Sequence, residues 1–148
     1  MPILKYGIDP ALLSAGGKDF GFIIWDRVCD KARADFDNDW RKINELKFSS
    51  VRSVIRKHCS NDPEYISAGL PLREAVFRLL LIAPVDQVPL EIVHSVLSKI
   101  WATALWPRHL SLDTLQRTLV NSAHQGIVEF AYEDTDEIPK DQDQASSD

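Results

Sequence analysis

The amino-acid sequence predicts a mainly α fold, in which N-terminal helices pack on a three-helix unit with a minimal β-strand component. Two patterns carry the prediction. Between Leu70 and Gln125, three apolar stripes at helical spacing are punctuated by prolines. Only one stretch, Ile127-Val128-Glu129-Phe130-Ala131-Tyr132, alternates like a strand. At 148 residues, 45% hydrophobic and 26% charged, the chain has the length and composition of an ordinary globular domain that needs no staples.

Residues 1–17 carry Pro2, Pro10 and the pair Gly16-Gly17 and are expected to form an irregular lead-in. Phe20, Ile23, Ile24 and Val28 then place a helix from Lys18 to about Cys29. The run Asp35-Phe36-Asp37-Asn38-Asp39 interrupts it, since Asp and Asn prefer caps and turns. Trp40, Ile43 and Leu46 resume a helical stripe. Ser49 or Ser50 is expected to cap a short helix bearing Val51, Val54 and Ile55, which Asn61-Asp62-Pro63 closes.

The second unit starts near Leu70. Pro71 suits a first helical turn, Leu72, Val76, Leu79, Leu80 and Ala83 form the apolar face, and Pro84 ends the helix. Pro89 precedes the strongest helical pattern, Leu90–Leu105, which Pro107 stops. Ser111 caps a third helix lined by Leu112, Leu115, Leu119 and Ala123, and Gly126 closes it. The chain thus divides into an N-terminal helical segment (1–66), a three-helix unit (67–132) and an acidic tail (133–148), polar enough to be read as disordered.

The order Leu72–Ala83, Leu90–Leu105, Ser111–Gln125 and then Gly126–Tyr132 resembles a winged-helix domain, with Val85–Leu90 holding the small strand found between the first two helices of that class. The resemblance covers residues 70–132. It implies duplex-DNA binding, with the third helix in the major groove and a β-wing on the backbone. No second strand is expected after Tyr132, however. Glu133, Asp134, Asp136 and Glu137 fall where a wing tip would meet phosphates, and this favours a protein-binding branch of the class.

Charge is distributed unevenly beneath a net of −5. Residues 41–58 hold Arg41, Lys42, Lys47, Arg52, Arg56 and Lys57 against Glu45 alone, whereas residues 129–148 hold Lys140 against eight acids. Arg52, Arg56 and Lys57 are therefore expected to contact nucleic acid, together with Gln116, Arg117 and Asn121 on the third helix. Arg, Asn and Gln are the side chains that read base edges. The acidic tail is a candidate competitor for the basic stretch. Expectation favours a nucleic-acid-binding, transcription-regulator-like protein. The alternative is a protein-interaction or oligomerisation module, or homodimer, that has lost DNA binding.

No nucleophile elbow, phosphate-binding glycine loop or His-Glu-x-x-His occurs, so the chain is read as a non-enzyme without cofactor or metal. His58, His94, His109 and His124 lack zinc-site spacing, and Asp35, Asp37 and Asp39 lack the glycine and terminal glutamate of a calcium loop. No run spans a membrane and no secretory signal is evident, which places the protein in the cytoplasm. Cys29 and Cys59 are accordingly expected to be buried or idle thiols. Of the aromatics, Trp25, Phe36, Trp40 and Trp101 read as core. Trp106, at a helix end before Pro107, would mark a partner contact if exposed.

Overall fold

The structure, a computed structural model, describes residues 2–133. It is mainly α, with one three-stranded antiparallel sheet. The expected irregular lead-in is instead strand β1 (Pro2–Ile8), followed by the single-turn helix α1 (Pro10–Leu13) and a 3-10 turn at Ala15–Gly17. Leu4, Tyr6 and Ile8 alternate along the strand and pack on the core. Pro2 is tolerated because it stands at the strand start. Gly7 is required by close approach: a Cβ there would lie 2.5 Å from the Asp86 carbonyl oxygen.

The helix expected from Lys18 to Cys29 is two. Helix α2 (Phe20–Trp25) is capped by Asp19, whose carboxylate accepts from the Phe22 amide at 3.1 Å, and α3 spans Asp30–Asp35. Between them the chain turns, and Arg33 donates to the Trp25 and Val28 carbonyls, both at 2.9 Å, which helix continuation would otherwise have satisfied. The expected break at 35–39 is present. Asp37 and Asn38 take left-handed conformations (φ 57° and 55°), which few residue types other than Gly, Asn and Asp adopt readily. A 3-10 segment, Trp40–Glu45, leads to α4 (Phe48–Cys59). This helix begins ahead of both serines, so neither caps it.

Helices α5 (Leu72–Ile82), α6 (Leu90–Ala102) and α7 (Leu112–Val120) follow in the expected order, with strand β2 (Val88–Pro89) between the first two. Ser111 caps α7 by accepting from the Thr114 amide at 3.1 Å. Both α6 and α7 end earlier than their apolar stripes suggest. Ile92 and Leu112 are exposed, while Val93, Leu97, Trp101, Leu115 and Leu119 are buried. A 3-10 turn at Ala123–Gln125 ends on Gly126 at φ 86°, where a Cβ would also meet Leu13 Cδ2 at 2.6 Å. Strand β3 (Ile127–Glu133) completes the sheet. Residues 134–148, and with them most of the acidic tail, its expected disorder and its competition for the basic stretch, lie outside the described residues.

The strand order is β2-β1-β3. The N-terminal strand lies between the two strands of the second unit, with Ile3 opposite Tyr132, Lys5 opposite both Phe130 and Pro89, and Ile8 opposite Ile127. One apolar cluster runs from Tyr6 through Ile24, Ile55 and Leu81 to Trp101 and Ile127, across the boundary drawn at residue 66. No described helix is long and apolar enough to cross a membrane.

Cys29 and Cys59 are joined in a disulfide, with Cα atoms 5.8 Å apart, which corrects the expectation of idle thiols. The residues are 30 apart in sequence, and they meet because the start of α3 packs on the end of α4. Denatured, unreduced protein is therefore expected to show no free thiol toward a chromogenic disulfide reagent. Reduction is expected to cost about 2–4 kcal/mol of stability in urea titration. Two free thiols would contradict the pairing.

Candidate interaction site

The residues expected to contact nucleic acid come from two helices, α4 and α7. Arg52 is buried at 6% exposure. Its guanidinium donates to the carbonyls of Leu81 (3.4 Å), Ala83 (2.5 Å) and Val85 (2.7 Å) and pairs with Asp86 at 2.6 Å. Arg56, half-buried one turn later, donates to the same Ala83 carbonyl at 2.9 Å. Both arginines close the C-terminus of α5, where the last carbonyls have no helical partner. Arg52 thus acts as a structural cap on α5, and Arg56 shares that cap through the Ala83 carbonyl. Lys57 is exposed. Gln116, Arg117 and Asn121 lie on or at the end of α7, where Arg117 pairs with Asp113 at 3.1 Å along its own helix. Helix α4 packs chiefly on α3 and α5, and α7 on α5, α6 and β3, so the two sets stand on separate helices.

The other sequence candidates are also accounted for. His58 pairs with Asp35 at 2.7 Å, and this contact holds the Asp35 carboxyl below its usual range. His94 Nε2 lies 2.7 Å from the Leu110 carbonyl. No cluster of metal-ligating side chains occurs among the described residues. Phe36 and Trp101 are buried, Trp25 and Trp40 half-buried.

Trp106 is exposed, as the reading of its position allowed for, and so is Leu105. The side chains are 82% and 87% accessible. Leu105 could not be anticipated, because the apolar stripe placed it inside α6. Their presentation has a structural cause. After Ala102 the chain makes a short excursion whose ends return to one point: the amides of Ala104 and Arg108 both donate to the Trp101 carbonyl at 3.4 Å. The base is rigid. Trp101 is fully buried, donates Nε1–H to the Ile66 carbonyl at 3.3 Å, and carries the Arg108 guanidinium 4.3 Å from its ring centre. Arg108 also donates to the Ala68 and Leu70 carbonyls at 3.2 and 2.6 Å. Beside the two exposed side chains lies an open cleft of about 740 Å³, walled by Ile66, Ala68, Gly69, Ile100, Trp101 and Ala104. Glu64 is the sole ionisable residue in its lining.

A second cleft, of about 550 Å³, lies between α1, α2, the start of α5 and the turn before β3. Glu74 in its wall accepts from Arg27 at 2.9 and 2.8 Å and from Arg78 at 3.0 Å. Burial pushes this carboxyl up, but the two guanidinium groups outweigh it and hold the group below its ordinary value of 4.5.

Two predictions follow from these placements. Arg52→Ala is expected to lower stability by about 3–5 kcal/mol, because it strands buried carbonyls. Lys57→Ala is expected to change it by no more than about 0.5 kcal/mol. Urea titration of both variants checks the assignment. Because the folded-state pKa of Glu74 is depressed, its contribution is complete at neutral pH and is lost as pH falls below 4.5. Glu74→Gln should therefore flatten the acid limb of stability against pH, seen as a urea midpoint that varies less between neutral and acid pH than that of the parent chain.

No family model matches the sequence, and no curated protein or solved structure matches the chain.

Proposed function

We propose that this protein is an interaction module that self-associates through its Leu105–Trp106 end, built on a winged-helix-like unit that does not bind DNA. The observation that carries the reading is the pair of exposed apolar side chains beside a mostly apolar cleft in which Glu64 is the one ionisable residue. Exposed tryptophan on a fixed scaffold is costly in water and is the side chain most enriched in binding hot spots. Protrusion and cleft belong to the same patch, so a two-fold axis lets each copy fill the other's cleft. Such an axis sets like residues near one another, and a patch with so little charge avoids self-repulsion.

The winged-helix-like reading rests on the element order α5-β2-α6-α7-β3 and on a sheet in which β3 has an antiparallel partner. That partner is β1, from the other end of the described chain, so the two strands are not joined by a hairpin and no wing loop stands between them among the described residues. Of the four cations expected to meet DNA, Arg52 is buried, Arg56 is half-buried on a carbonyl and Arg117 is paired with Asp113, which leaves Lys57 exposed without such a partner among the described residues and supports a reading without DNA binding.

Sedimentation equilibrium of the full chain over about 1–200 µM is expected to show mass rising toward twice that of one chain. The double variant Leu105→Ala/Trp106→Ala should weaken association at least about tenfold while keeping its thermal midpoint, since both side chains lie outside the core. A chain that stays monomeric throughout, or binds random duplex DNA in a salt-sensitive manner, would overturn the proposal.

A further inference from the structure

The second cleft is built differently from the first. Its floor is apolar, formed by Leu13, Ile23, Phe77 and Ile127. Its rim carries Lys18, Arg73 and His124. Glu74, the only carboxylate in the lining, is already bound by two arginines, so the cleft presents net positive charge. Neither Lys18 nor His124 makes an ion pair or side-chain hydrogen bond among the described residues. Four chain segments bring these groups together: Lys18 follows the 3-10 turn after α1, Arg73 lies in the first turn of α5, His124 sits in the turn before β3, and Ile23 belongs to α2.

Arg73 distinguishes the site. Every other arginine of the chain reaches a backbone carbonyl or a carboxylate. Arg73 instead donates Nε–H to the Ser122 hydroxyl at 3.1 Å, and its two terminal nitrogens meet no described acceptor. Ser122 is fully buried and is itself fixed by donating to the Thr118 carbonyl at 2.8 Å. The guanidinium is therefore held in place from behind while its remaining donors stay available. A planar fork of that kind matches the two oxygens of a carboxylate. The cleft volume falls in the range usual for small-ligand sites, and such sites combine an apolar lining with few fixed polar groups.

We propose that this cleft binds a small monocarboxylate with an apolar body, the carboxylate on Arg73 and Lys18 and the body on Phe77, Ile23 and Leu13. The site is separate from the Leu105–Trp106 surface, shares no lining residue with that cleft and does not depend on self-association.

The test is titration of the full chain with 3-phenylpropionate and, in parallel, with the uncharged 3-phenylpropionamide, followed by amide proton–nitrogen correlation spectra. The acid should bind with a Kd of about 1 mM or tighter, shift the signals of Arg73, Phe77 and Gln125, and bind at least about tenfold more tightly than the amide. Lys18→Ala and Arg73→Gln should each remove most of that difference, whereas Leu105→Ala/Trp106→Ala should leave it intact. If Arg73→Gln does not fold, Lys18→Ala decides, because Lys18 is exposed and supports nothing else. Equal binding of acid and amide, shifts confined to other surfaces, no binding of the acid at about 10 mM, or an acid preference untouched by Lys18→Ala would each overturn the proposal.

Discussion

The fold depends on arginine acting as a cap for backbone carbonyls. A small, mainly helical chain has many helix ends and little sheet, so many carbonyls at helix C-termini and in connecting loops lack a partner. Here Arg33 serves the end of α2, Arg52 and Arg56 the end of α5, Arg78 the Tyr65 carbonyl, and Arg108 the loop at Ala68 and Leu70. Most of these guanidinium groups also lie over an aromatic ring, as Arg33 does on Trp25, Arg78 on Tyr65 and Arg108 on Trp101. Five donors in a rigid plane let one side chain close several carbonyls at once, which lysine cannot do. Arg52 shows the consequence most fully. It ties α4 to the end of α5 and to the loop that leads into β2, and so fixes where the sheet begins.

The sheet in turn joins the two ends of the described chain. Because β1 lies between β2 and β3, the N-terminal segment is part of the core of the second unit, and Tyr6 seals the arrangement. Its ring is fully buried and its hydroxyl donates to Glu129 at 2.7 Å. Burial, and then the bond to that carboxylate, push the phenol well above its usual range, so it stays a neutral donor. The disulfide between the start of α3 and the end of α4 adds a second tie to α4 beside the arginine cap on α5.

Helix order in the second unit was legible in the sequence because prolines and caps act locally. Pro71, Pro84, Pro89, Ser111 and Gly126 each mark a boundary within a few residues of where it falls. Strand β1 was not legible. Its alternation rests on only three apolar residues, Leu4, Tyr6 and Ile8, and what makes it a strand is pairing with residues at the far end of the described chain. Arg52 and Arg56 were legible as cations but not as caps: four apart on a helix, they look the same from sequence whether that face meets solvent or the end of another helix. The cysteines were misread for a similar reason, since sequence spacing says nothing of the contact between α3 and α4. Trp106 could be flagged, because its place beside Pro107 is local. Leu105 could not, because the return of the Arg108 amide to Trp101 is what turns it outward.

The same reasoning separates formal charge from accessible charge in this chain. The basic stretch 41–58 has a large formal excess, yet Arg41 pairs with Asp39, Arg52 is buried and Arg56 is half-buried on a carbonyl. Positive charge used inside the molecule is not available to a polyanion, however it is spaced in sequence. What remains for recognition is set by what the fold leaves unsatisfied. The two places on which the proposals rest differ in kind. At Leu105–Trp106 it is apolar surface, which favours burial against another apolar surface. At Arg73 it is a pair of oriented donors over an apolar floor, which favours an anion small enough to enter a cleft. Arg73 escapes the capping role of its fellows because a buried serine, rather than a carbonyl, holds it. That one difference of partner leaves the terminal nitrogens of the guanidinium at an open cleft instead of closing a helix.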